Sequence, residues 1–130
     1  MAASPVFTAT PHVEISRFNT ANTNVDGTGT IATVFTAGAS GSRVDRIIVE
    51  QSQGTSTNGM VRLFLYDGTS YRLFREVTVT AATSSATVQC FTATVALSNF
   101  YIPGTSGFNR IAASTHNAEQ FNVIVMGSDL

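Results

Sequence analysis

Two histidines, one cysteine, eight acids and seven arginines carry most of the chemistry that this 130-residue chain offers. Cys90 with His116 would make a nucleophile and base only if the thiol were exposed and the ring within hydrogen-bond reach. Cys90 falls between Val88 and Thr92, in a stretch (87–95) that alternates as a strand does. A thiol there packs as a small hydrophobe. His12 sits among turn and coil residues. Ser40 in Gly38-Ala39-Ser40-Gly41 and Ser106 in Gly104-Thr105-Ser106-Gly107 both miss the Gly-x-Ser-x-Gly spacing of a nucleophile elbow, and neither opens a helix. Asp26-Gly27-Thr28-Gly29 departs from Asp-Thr-Gly by one inserted glycine and reads as a turn. Glycosidic cleavage needs a carboxylate pair across a cleft. Glu14, Glu50, Glu76 and Glu119 are scattered, as are Asp26, Asp45, Asp67 and Asp129. No loop gathers the oxygens of a calcium site, the Cys and His are too few for zinc, and no glycine run ends in the Gly-Lys-Ser/Thr of a phosphate loop. The chain is therefore read as a non-enzyme, with no catalytic, cofactor or metal residue.

One cluster needs a second weighing. Phe64, Tyr66, Tyr71 and Phe74 are interleaved with Arg62, Arg72 and Arg75. Such a group stacks bases in some single-strand binders. It is also ordinary in β cores and protein interfaces. The net charge is -1 and no basic run exists, so nucleic acid is not expected as a partner. All seven cations are arginine, the cation that interfaces prefer over lysine.

The elements that would hold these residues read as strands. Thr and Ser are 19 and 13 of the residues, while charged residues are only 12%. Threonine is stiff at its branched Cβ and suits a half-exposed pleat. Strands are expected at 31–36, 43–51, 60–66, 71–80, 87–95, 110–115 and 120–126. Gly/Ser loops, an Asp67-Gly68 hairpin and Pro103-Gly104 separate them. No helical period competes. The expected architecture is all-β: a single-domain antiparallel β-sandwich, jelly-roll-like. Its core is assigned to Val34, Ile47, Val49, Leu63, Leu65, Leu73, Val77, Phe91, Ile111, Phe121, Val123 and Val125.

Residues 1–29 read differently from the sandwich at 30–130. Pro5, Pro11 and the run Asn19-Thr20-Ala21-Asn22-Thr23-Asn24 suggest an extended N-terminal arm, with one short strand at 12–16. Val13 and Ile15 flank Glu14 in alternation, so this strand is expected to add to the sheet edge of a neighbour. A lone Cys90 excludes an internal disulfide. Residues 1–10 lack the basic and apolar regions of a secretory signal, and no run is long enough for a membrane span. No membrane is expected, and the chain is read as made and folded in a cytoplasm.

Three segments together resemble a family of small proteins encoded by tailed bacteriophages and prophages among their virion genes. The first is Asp26-Gly27-Thr28-Gly29 with 32–38 and 42–47. The second is 62–68 with Tyr71-Arg72-Leu73, and the third is 113–119 with Phe121-Asn122-Val123. The resemblance covers most of 26–130 and leaves out the arm. It implies a virion location and partners such as the major capsid protein or other virion proteins. In kind, it implies a capsid decoration (cement) protein that stabilises the head, commonly a homotrimer. A tail, neck or fibre component, including a host-surface or carbohydrate binder, is the alternative. The contact is expected at Val13 and Ile15 of the arm, with Arg43, Arg62 and Arg75 next.

Overall fold

The computed structural model describes residues 10–104 and 107–130. Pro5 of the expected arm and Ser106 of the expected 103–107 loop lie outside them. The strands are β1 Thr10–Phe18, β2 Ala32–Thr36, β3 Ser42–Gln51, β4 Thr55–Ser56, β5 Gly59–Tyr66, β6 Tyr71–Val79, β7 Ala82–Thr83, β8 Thr92–Ile102, β9 Arg110–Thr115 and β10 Phe121–Asp129. Eight of them form two four-stranded sheets in the orders β1-β10-β3-β8 and β2-β9-β5-β6, while β4 and β7 pair as a two-residue ribbon. Every named pairing is antiparallel. Only the β5–β6 hairpin stays within one sheet. The other connections between the eight long strands cross from sheet to sheet, which makes the molecule an all-β sandwich.

Alternation places the core between the sheets. Ile47, Val49, Val123 and Val125 point inward from one sheet, and Val61, Leu63, Val77 and Ile111 from the other. Of the expected core, Val34 and Phe121 are also buried, Leu65 and Phe91 pack against its margin, and Leu73 stays half-exposed outside the cluster. Phe35 joins because a register shift between Thr33 and Phe35 turns two successive residues inward. Phe18, Val44, Val79 and Ile102 at or near strand ends, with Ala113 of β9, complete it.

Within the described residues, 10–29 differ from the expected arm. Nine of them, Thr10 to Phe18, pair residue for residue with Asp129 to Phe121 of the chain's own β10. The outer edge of β1 is also tied down. Glu14 Oε2 accepts the Thr36 N–H at 2.8 Å, and Ser16 Oγ donates to the Thr33 carbonyl at 3.2 Å, so β1 is stitched to β2 of the other sheet. Pro11 suits this position, because an edge strand can lose one N–H. The sequence pattern showed a strand here, but alternation cannot say whose sheet it joins.

The other displacement is β8, expected over 87–95 and found at 92–102. Ser85 Oγ accepts the N–H groups of Thr87 and Val88 at 3.2 and 3.1 Å, which turns that stretch instead of extending it. Cys90 thus lies in the connection before β8 rather than mid-strand. Further along, Asn99 takes φ 55°, a conformation asparagine tolerates, within the irregular pairing between Ala96 and Phe100.

Candidate interaction surface

With inward positions committed to the core, the register fixes what each sheet shows on its other face. In the β1-β10-β3-β8 sheet, three rows of side chains cross the strands. Arg17, Asn122, Glu50 and Thr92 form one. Ile15, Ile124, Ile48 and Thr94 form the next, and Val13, Met126, Arg46 and Ala96 the third. A fourth row, Pro11, Ser128, Arg43 and Tyr101, follows the bulge at Met126. The middle of this face is apolar. Val13 is 57% and Ile15 59% exposed, and Ile48, Ile124 and Met126 are half-buried beside their cross-strand neighbours. A contiguous apolar patch rimmed by polar residues marks a contact surface more often than a solvent face.

The opposite sheet also carries apolar and charged residues outward, but the chain covers them itself. Arg62, Phe64, Ala112 and Ser114 sit on that face, opposite one another on β5 and β9. The connection at 19–31 lies over them. Asn22 N–H donates to the Thr115 carbonyl at 2.8 Å, and Asn22 Nδ2 donates to the Thr28 and Thr30 carbonyls at 3.0 Å each, closing the loop on itself. Gly27 (φ 89°) approaches Tyr71 so closely that a Cβ would meet its carbonyl oxygen at 2.1 Å. Beneath this flap Phe64 is fully buried and Arg62 is 5% exposed. The Arg62 guanidinium donates to Glu76 Oε2 at 3.1 Å, to the Asn22 carbonyl at 3.3 Å and to His116 Nδ1 at 3.2 Å. Beside the flap, Phe18, Thr20, Thr30, Ala32 and Ser114 line a cleft of about 210 Å³.

One cluster has the residue types of a catalytic site in the wrong order. His12 Nδ1 meets Asp129 Oδ1 at 2.6 Å, and Ser42 Oγ donates to that same oxygen at 2.6 Å. The carboxylate therefore stands between hydroxyl and ring. A triad needs the ring in the middle to take the hydroxyl proton. His12 Nε2 faces Glu14 Oε2 at 3.0 Å, and the ring lies 4.3 Å from the Phe35 ring. Because the two carboxylates approach opposite nitrogens, these three groups do not converge on one point as metal ligands would, and among the described residues no such group of ligands forms. The arrangement is a clamp that joins β1, β3 and β10. Hydrogen bonds from Ser42, then His12, hold the Asp129 carboxyl below the usual carboxylate range. At the β5–β6 turn, the Ser70 backbone N–H, the Arg72 side chain and the Thr69 N–H hold Asp67 at about 2.

Val13, Ile15 and Arg43 thus share the bare face, Arg43 with its guanidinium Nε on Asp45 at 2.9 Å. Arg75 is exposed on edge strand β6. Arg62, expected at a contact, is occupied inside the chain and is no part of an accessible surface. Ile48, Ile124 and Met126 were missed. Each alternates with a core residue, and in a strand with apolar residues on both faces the pattern cannot say which face is core. Among the described residues no helix is long and apolar enough to cross a membrane.

No family model and no curated protein matches the chain. Among solved structures, a chain of the cyanophage Pam1 capsid asymmetric unit is similar at 21% identity and TM-score 0.48, over 100% of this chain and 94% of that one.

Proposed function

We propose that this chain is a structural protein of a tailed-phage virion, a decoration or cement protein that binds the head shell and braces it, and not an enzyme. We read its strand order, with six sheet-to-sheet crossings and one hairpin, as a jelly roll. The observation that carries the reading is the bare apolar face of the β1-β10-β3-β8 sheet, beside a second sheet whose outward Arg62 is taken up by the chain's own 19–31 connection. A protein whose exposed chemistry is a contact surface works by binding. In a shell, many copies of a weak contact act together and gain avidity. The family resemblance of 26–130 supplies the setting, with the major capsid protein or other virion proteins as partners.

Purified particles test this. Hundreds of copies per particle, and loss of heat resistance in particles grown without the protein, are expected. A handful of copies at one vertex would move the protein to the neck or tail, and absence from particles would end the virion reading.

A further inference from the structure

We propose that the bare sheet face is self-complementary, and that two copies of this chain pack through it about a two-fold axis running along β10. The register carries the argument. On this face β10 is flanked by β1 on one side and β3 on the other. A two-fold axis along β10, between the stacked sheets, turns β1 of one copy over β3 of the other without changing rows. Each row then meets itself reversed. Ile15 of one copy lies over Ile48 of the other, Ile124 over Ile124, and Met126 over Met126. Val13 lies over the aliphatic stem of Arg46, whose charged end reaches the rim. In the remaining row Arg17 lies over Glu50, and the symmetry makes that contact twice.

The charges carry the same message within one chain. Arg17 and Glu50 occupy one row with Asn122 between them, about 10 Å apart at two strand spacings. Neither takes part in an ion pair among the described residues, whereas Arg43, Arg62 and Arg72 each do. This face thus leaves Arg17, Arg46 and Glu50 outside any ion pair among the described residues, and Arg17 and Glu50, on either side of Asn122 in the row beside the apolar ones, are the opposite charges that the two-fold brings together. Face-to-face sheets align within about 30° of each other, which keeps all three rows in contact. The pairing claims the same face that carries the cement reading, and the two are told apart by separate readouts: self-association of the free chain for the pairing, copy number in particles for the cement role.

Analytical ultracentrifugation of the full chain tests it, with far-UV circular dichroism to check folding. A dimer is expected at micromolar concentration, loosened by salt. Arg17→Glu places two like-charged pairs across the axis, as does Glu50→Arg, and each weakens association by at least about tenfold. The diagnostic arm mixes the two variants. The new carboxylate at position 17 of one chain then faces the new guanidinium at position 50 of the other, and on the second side of the axis the unchanged Arg17 faces the unchanged Glu50. An equimolar mixture therefore recovers a heterodimer, where neither variant pairs well alone. Ile124→Arg sets two cations against each other at the axis and gives a monomer. If that variant misfolds, the charge pair still decides. A wild-type monomer at high micromolar concentration, a trimer, or a mixture that fails to recover the dimer overturns the proposal. So does a dimer indifferent to both reversals, the result expected if the copies met edge to edge.

Discussion

The two sheets of this sandwich are alike in strand number and pairing, yet their outer faces are treated in opposite ways. On the β2-β9-β5-β6 sheet the outer face holds Phe64 at 0% exposure and Arg62 at 5%, sealed beneath the chain's own 19–31 segment. On the β1-β10-β3-β8 sheet the outer face holds Ile15, Ile48, Ile124 and Met126 with no segment of the described chain above them. Strand composition does not distinguish the two. The difference lies in what covers them, and a sheet face left apolar and uncovered has the character of a contact surface.

The largest difference between the two faces is expected at Phe64. Phe64→Ala empties a fully covered site and should cost about 3–5 kcal/mol, whereas Ile124→Ala on the bare face should cost under about 1 kcal/mol in a monomer, since little enclosure is lost. Urea denaturation of both variants measures it. Equal costs would mean that the two faces are not different in the way described.

Arg62→Ala comes next, at about 2–3 kcal/mol. It leaves the Asn22 carbonyl and His116 Nδ1 without their donor beneath the flap. Glu76, half-exposed, can turn to water, which keeps the loss below that of a fully buried pair. The bare face offers the control. Arg46→Ala should change stability by no more than about 0.5 kcal/mol in the monomer.

Gly27→Ala acts on the covering segment itself. A left-handed φ and a carbonyl in the path of the new Cβ together should cost about 1–3 kcal/mol. The effect should be local. Hydrogen exchange should speed at Asn22 and along β5, with β10 and β3 unchanged. If exchange rose equally in both sheets, the 19–31 segment would be part of the global unit rather than a flap.

The sequence showed the strands of this molecule better than it showed their partners. Alternation found Ile47, Val49, Val123 and Val125 as core because their inward positions are consistently apolar. It placed β1 correctly as a strand at 12–16 but assigned it to a neighbour, because edge membership depends on residues 121–129, more than a hundred positions away. Arg62 illustrates the same limit. An arginine between Val61 and Leu63 reads as outward-facing, and so it is, but only the path of 19–31 shows that outward here means covered. The bare face was half legible. Val13 and Ile15 stood out as apolar residues in a polar segment, whereas Ile48 and Ile124 were hidden among core residues on either side.

The smallest expected effect concerns how the bare sheet keeps its edge strand. Asp129 accepts from Ser42 and meets His12, which joins β1 to β10 and β3. Those bonds hold its carboxyl below the ordinary range, so the folded state binds the Asp129 proton less readily than the unfolded chain does. The clamp is thus fully in force above the unfolded value of about 3.9, and its contribution fades as pH falls through the lower folded value. The Asp129 side chain is 32% exposed, so solvent screens it in part and the loss should stay below about 1 kcal/mol. Asp67 and Asp26, also depressed, add to the same acid limb from sites outside the bare sheet. Asp129→Asn should therefore lower thermal stability slightly at neutral pH and make its pH dependence less steep, though not flat, on acidification from about pH 5 to about pH 2. Amide exchange gives the location. In Asp129→Asn the amides of β1 should loosen before those of β9, because the Asp129 side chain bonds to His12 and Ser42 of the uncovered sheet and to no strand of the covered one. An acid limb unchanged by the substitution would assign the whole slope to Asp67 and Asp26 and leave β1 held by its ladder to β10 and by Glu14 and Ser16 on β2.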